Sequence, residues 1–133
     1  MNNVEARNLW DRATLALRLA KHDLPMSADG AASWAYYAAF YAVSALFAME
    51  GRSFSKHSQI EAAVHRDLVK GERWPSRLGS AYSQLNDLRD IGHYGGSKHI
   101  TPAEAENGIG MAEEILYAVA EAHPDAFTGL PDE

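Results

Sequence analysis

No cysteine occurs in the 133 residues, which excludes disulfides, thiolate zinc sites and cysteine nucleophiles and points to a reducing cytoplasm. Only five prolines are present, and none falls inside a long periodic segment. No run alternates apolar and polar residues with the period of two that a half-buried strand shows. A cationic excess is also lacking: 12 Lys and Arg oppose 18 Asp and Glu, for a net charge of −6. That balance argues against a protein that coats nucleic acid through many phosphate contacts. The start, Met1-Asn2-Asn3-Val4-Glu5-Ala6-Arg7, has no basic stretch leading into an apolar one, the pattern of a secretory leader. His22, His57, His65, His93, His99 and His123 form no tight ligand spacing, so neither a metal nor a cofactor is expected. There is no nucleophile elbow, and the Gly95-Gly96 pair follows a helix rather than a strand, unlike a phosphate loop.

What is present reads as one all-α domain. The length suits a single hydrophobic core, and 47% apolar with 23% charged residues is ordinary globular composition. Apolar periodicity predicts five helices in an up-and-down bundle over residues 1–123, with 124–133 as a frayed acidic tail. The first helix, about Val4 to Leu24, carries Leu9, Ala13, Ala16, Leu17, Ala20 and Leu24 on one stripe. The second, about Ser27 to Glu50, is apolar almost all round. Its Ala31, Ala35, Ala38, Ala42, Ala45 and Met49 recur in steps of four and three, a small-residue seam that lets another helix approach closely. From Ala31 to Met49 no residue is charged, close to the length of a membrane span. The run is rich in alanine and tyrosine and poor in leucine and isoleucine, which favours a buried core helix and no membrane.

A third helix begins in Ser55-Lys56-His57-Ser58, with Ser58 and Glu61 placed for a capping box, and turns Ile60, Ala63, Val64 and Leu68 inward. The fourth, about Ser76 to Tyr94, buries Leu78, Tyr82 or Ala81, Leu85, Leu88 and Ile91. The fifth opens at Thr101-Pro102-Ala103-Glu104, which combines an N-cap threonine, proline at the first helical position and a capping-box glutamate. Gly108 and Gly110 weaken it by roughly 1 kcal/mol each relative to alanine, which close packing against a neighbour would explain.

The candidate chemistry lies in Leu88-Arg89-Asp90-Ile91-Gly92-His93-Tyr94-Gly95-Gly96. Arg89 and His93 stand at i and i+4 and share a helix face. RNA cleavage needs little from a protein, because the substrate's 2′-hydroxyl can be the nucleophile. His93 would be the general acid/base, Arg89 would hold the phosphate and Tyr94 would bond or stack a base. The same residues also make a plain helix end, with His93 near the C-terminal dipole, Arg89 paired to an acid and two glycines as the stop. A second anion-binding candidate is Lys56 and His57 with Arg66, Lys70, Arg73 and Arg77. Residues 51–77 carry 6 Lys/Arg against 3 Asp/Glu, whereas residues 78–133 carry 2 against 10. Its competing reading is a solvated helix face.

The chain resembles the HEPN domain over about Ala6 to Ala122. The features that carry the likeness are Leu9-Trp10-Asp11-Arg12-Ala13, the aromatic run from Ser33 to Ala42, Lys56-His57-Ser58, Leu88-Arg89 to His93-Tyr94, and the Thr101 to Ala105 helix start. The resemblance implies a four- to five-helix bundle that commonly forms a homodimer. In nuclease members it implies a metal-independent ribonuclease site, built from an arginine and a histidine of the late helix at the dimer cleft. It also implies toxin–antitoxin or defence roles, RNA or nucleotide as ligand, and a small nucleotidyltransferase-like protein as partner. One departure bears on catalysis. The nuclease motif places four to six residues between arginine and histidine, and Arg89 and His93 have three between them. His99, with nine intervening residues, is too distant. A non-catalytic binding or scaffold subunit is the alternative.

Overall fold

The computed structural model describes residues 2–94 and 96–131, and for Asn2, His93 and Tyr94 the backbone alone. Helix α1 spans Asn2–Asp23, α2 Ala28–Met49, α3 His57–Ala63, α4 Ser76–Tyr94 and α5 Pro102–Ala122. Among the described residues there is no strand, and the chain is an all-α bundle. Helix α2 is its centre. It packs most extensively against α1, then α5, then α4. Ala31, Ala35, Ala38, Ala42 and Ala45 of its seam are wholly buried, as are Ala6, Ala13 and Ala20 of α1. Small residues on both partners allow a close approach of the two axes. Although α2 has the length and hydropathy of a membrane span, its apolar surface is taken up largely by the three neighbouring helices.

The helix ends follow local chemistry. Ser27 caps α2, its Oγ accepting from Gly30 N at 2.9 Å. At α5, Thr101 Oγ1 accepts from Glu104 N at 3.1 Å while Glu104 Oε1 accepts from Thr101 N at 2.9 Å, the reciprocal pair expected. Helix α3 begins differently from expectation. It starts at His57, and Gln59 Oε1 takes the backbone N–H groups of Ser55 and Lys56, each at 3.2 Å. Glu61 is therefore not a capping residue. It faces α4, where Ser83 Oγ donates to its Oε2 at 2.7 Å.

Residues Val64–Val69 continue α3 as a π-helix, which periodicity did not indicate. Lys70 N donates to His65 O and Arg73 N to Leu68 O, each one residue further back than in an α-helix. The wider turn turns His65 toward α4, where its Nε2 and Ser83 Oγ are 2.9 Å apart. Gly79 makes this approach possible. A Cβ there would lie 2.7 Å from Val69 Cγ2 and 3.1 Å from His65 Nδ1.

The two weak points of α5 have different explanations. At Gly108 a Cβ would meet Leu88 Cδ1 at 3.3 Å and Leu85 Cδ2 at 3.5 Å, so tight packing against α4 accounts for the glycine. At Gly110 nothing lies within 4 Å, and the close-packing explanation fails there. The expected frayed tail is also corrected. Phe127 is buried and stacks on Trp10 at 5.0 Å between centroids. Trp10 Nε1 donates to Thr128 O at 2.7 Å, and the Tyr117 hydroxyl donates to Pro131 O. Apolar burial, not net charge, decides the fate of this segment through residue 131.

Candidate functional site

Arg89 sits in the last two turns of α4 with its side chain 20% exposed. Its guanidinium carbon lies 5.3 Å from the Tyr36 ring centroid and 5.4 Å from that of Tyr37. Two aromatic faces thus hold one cation, an arrangement worth about 0.5–2 kcal/mol per contact depending on desolvation. Asp90 Oδ1 approaches Arg89 Nη1 at 3.8 Å, at the long end of ion pairing. The aromatic residues come from α2, whose period places Tyr36, Tyr37 and Phe40 on the side turned to α4 and to the start of α3.

His57 completes the group. Its ring packs on Phe40 at 4.1 Å between centroids, and its Nδ1 shares a 3.1 Å hydrogen bond with the Tyr36 hydroxyl. Partial burial and the Arg89 charge both press the imidazole toward its neutral form, so its pKa lies below the ordinary histidine value. Burial pushes the Tyr36 phenol up. Deeper in, Tyr82 packs 6.1 Å from Tyr36, and burial raises its phenol well above the usual range. Its hydroxyl is buried without a hydrogen bond of normal geometry. Glu61, Ser83 and His65 continue the polar layer behind these rings.

Beside Arg89 a largely apolar cleft of about 510 Å³ opens between α2 and α4. Trp34, Tyr37 and Tyr41 form its wall, and Asp29 and Gly92 lie at its rim. Trp34 is 36% exposed and meets Tyr37 edge-on at 6.5 Å. Asp29 ties this rim to the α4–α5 loop: its carboxylate accepts from His99 Nδ1 at 2.9 Å and from Ile100 N at 2.8 Å. These two bonds hold its pKa below the usual carboxylate value. His99, too far from Arg89 in sequence for the nuclease motif, is thus engaged with α2.

Of the predicted site residues, the fold brings Arg89 over the Tyr36 ring and His57 to the Tyr36 hydroxyl. Lys56 is exposed next to His57, and its backbone N–H caps α3. Helix α4 runs through Tyr94, so positions 89 and 93 keep the i, i+4 register of one face. The side chains of His93 and Tyr94 lie outside the described residues. The wider basic stretch does not form one anion surface. Arg66 pairs with Asp67, Arg73 with Glu50 and Arg77 with Glu114. A larger cleft of about 940 Å³, bounded by Arg73, Arg77, Glu113 and Glu114, shares no residue with the aromatic one. Its cations are neutralised within the fold, Lys21 by Glu113 at 2.8 Å among them. No three His, Asp or Glu side chains among the described residues converge as a metal set would.

Tyr36, Tyr37, Phe40 and Trp34 were legible only as core or as family markers. The usable signal was their density: four large aromatics within seven residues exceed what one buried stripe can hold.

A model of the HEPN domain matches residues 6–122 of the chain. The UPF0332 protein of Thermotoga maritima is 39% identical over 84 residues, covering 63% of this chain and 64% of that relative. The matched segment therefore spans somewhat less than two thirds of the relative's length.

Proposed function

The chain belongs to the HEPN domain family, and from that premise we propose that it is an RNA- or nucleotide-associated module of a toxin–antitoxin or defence type, acting in the cytoplasm as a homodimer. The observation that carries this reading is the placement of Arg89. An arginine clamped by two tyrosine rings, partly open to solvent and beside a histidine, is preorganised for a phosphate.

In the catalytic form of the proposal the protein is a metal-independent endoribonuclease. Arg89 binds the non-bridging oxygens of the scissile phosphate and stabilises the charge that builds there. His93 acts as general acid/base: the 2′-hydroxyl loses its proton and attacks phosphorus, and the 5′-oxygen leaves with a proton. The products are a 2′,3′-cyclic phosphate and a 5′-hydroxyl end. The short Arg89-to-His93 spacing supports a second form, in which the same residues anchor phosphate, or acidic groups of a nucleotidyltransferase-like partner, without chemistry.

Cleavage of labelled tRNA and total RNA in EDTA by wild type, Arg89→Ala and His93→Ala proteins separates the two forms, with folding checked by circular dichroism. Cleavage by wild type alone is the catalytic result. Binding without cleavage, lost in Arg89→Ala, establishes the anchoring form. If wild type neither cleaves nor binds RNA or nucleotide, the proposal fails.

A further inference from the structure

We propose that His57 and Arg89 form a single two-residue phosphate site across Tyr36, in which His57 takes up a proton as the phosphate binds. This deepens the preceding reading and rests on it, but it concerns a residue 32 positions from Arg89 and outside the late-helix motif.

The geometry favours such a site. Tyr36 is the common element, with the guanidinium over its ring and His57 Nδ1 on its hydroxyl. Phe40 supports the other ring contact of His57. One nitrogen of the imidazole is thereby fixed, and Nε2 makes no hydrogen bond among the described residues. Among the described residues, the titratable and charged groups facing His57 are Tyr36 and Tyr37 from α2 and Arg89 from α4. On its own helix, Glu61 bonds Ser83 instead. Asp90 lies 3.8 Å from the guanidinium, on the helix that carries Arg89.

The chemistry follows from the placement of the two groups on one tyrosine. In the free protein partial burial, and after it the guanidinium, press the imidazole toward its neutral form. A phosphate or phosphodiester bridging the two removes the repulsion and favours the imidazolium. The protonated ring donates Nδ1–H to the Tyr36 oxygen and Nε2–H to a phosphate oxygen, beside the forked donors of Arg89. Binding and proton uptake are therefore linked: affinity rises as pH falls through the range where free His57 is still neutral.

Sulfate keeps a constant charge over this range and is the first probe. A 2′-deoxy dinucleotide, which has no 2′-hydroxyl and cannot be cleaved by the proposed route, is the second. Affinities would be measured from about pH 5.5 to 7.5 for wild type, His57→Gln, His93→Gln and Arg89→Gln, with the imidazole resonances of His57 followed by NMR. A shift of one pKa unit on binding corresponds to about a tenfold gain in affinity across the transition. The expected result is a gain of that order toward low pH in wild type, loss of that gain in His57→Gln, and weak binding at all pH in Arg89→Gln. A pH dependence retained in His57→Gln, or His57 resonances unmoved by either probe, overturns the inference. Loss of the pH dependence in His93→Gln alone overturns it too, while leaving the proposed function intact. If the His57 linkage is found but RNA is not cleaved, the catalytic form fails and this site stands.

Discussion

The two faces of α2 behave as different materials. One is alanine, wholly buried at positions 31, 35, 38, 42 and 45, and it serves close helix packing. The other is aromatic: Trp34, Tyr37, Phe40 and Tyr41 are all partly exposed, and they hold Arg89, His57 and a cleft. Alanine has no side-chain length to spare, so its face specifies how near the next helix comes. Aromatic residues have surplus area, and what the bundle leaves uncovered stays open to a ligand. One helix thus carries both the scaffold and the candidate site.

The largest effect should come from spoiling the alanine face. Ala38→Leu adds three carbons where no space exists and should cost about 3 kcal/mol, read as a lowered urea midpoint. Retained wild-type stability would mean that the seam is not closely packed. On the other face, Trp34→Ala should cost about 2 kcal/mol, less than at a fully buried site because the residue is 36% exposed, while weakening nucleotide binding far more than stability. Equal losses in both would erase the distinction between the faces. Tyr36→Phe keeps the ring under Arg89 and removes only the hydroxyl on His57. It should cost about 0.5 kcal/mol and disturb the His57 resonances without moving those of the alanine face.

The smallest effect is a pH slope. The folded pKa of His57 lies below its ordinary value of 6.5, so between these two values the unfolded chain binds more protons than the native one. Stability should be level above about pH 6.5 and fall as pH drops below it. Glu50, held low by Arg73 and then His123, and Asp29 lose their contributions only below about pH 4.5 and 3.8, their ordinary values. His57→Gln should remove the slope nearer neutrality and leave the acidic one, as urea midpoints at a series of pH values would reveal.

Features set by neighbours in sequence were readable in advance. Thr101 and Glu104 announce α5 because a cap needs only residues three positions apart. The inward positions Ile60, Ala63, Val64 and Leu68 are likewise buried as their spacing implied. The capping box at Ser58 failed because Ser83, 22 residues from Glu61, offers that carboxylate a competing donor. The tail was misread because its acidic composition is local, whereas Trp10, the ring that Phe127 covers, is more than a hundred residues away.

The sequence by itself determined the helical class, the start of α5 and the alanine seam, since these follow from backbone propensity and from periodicity along one chain segment. It also placed Arg89 and position 93 on one face of α4. Only the tertiary structure decided that His57 joins Arg89 across Tyr36, that Arg73 is committed to Glu50, and that His99 is held by Asp29. Those pairings depend on how the axes of α2, α3 and α4 cross, a property that no single segment encodes.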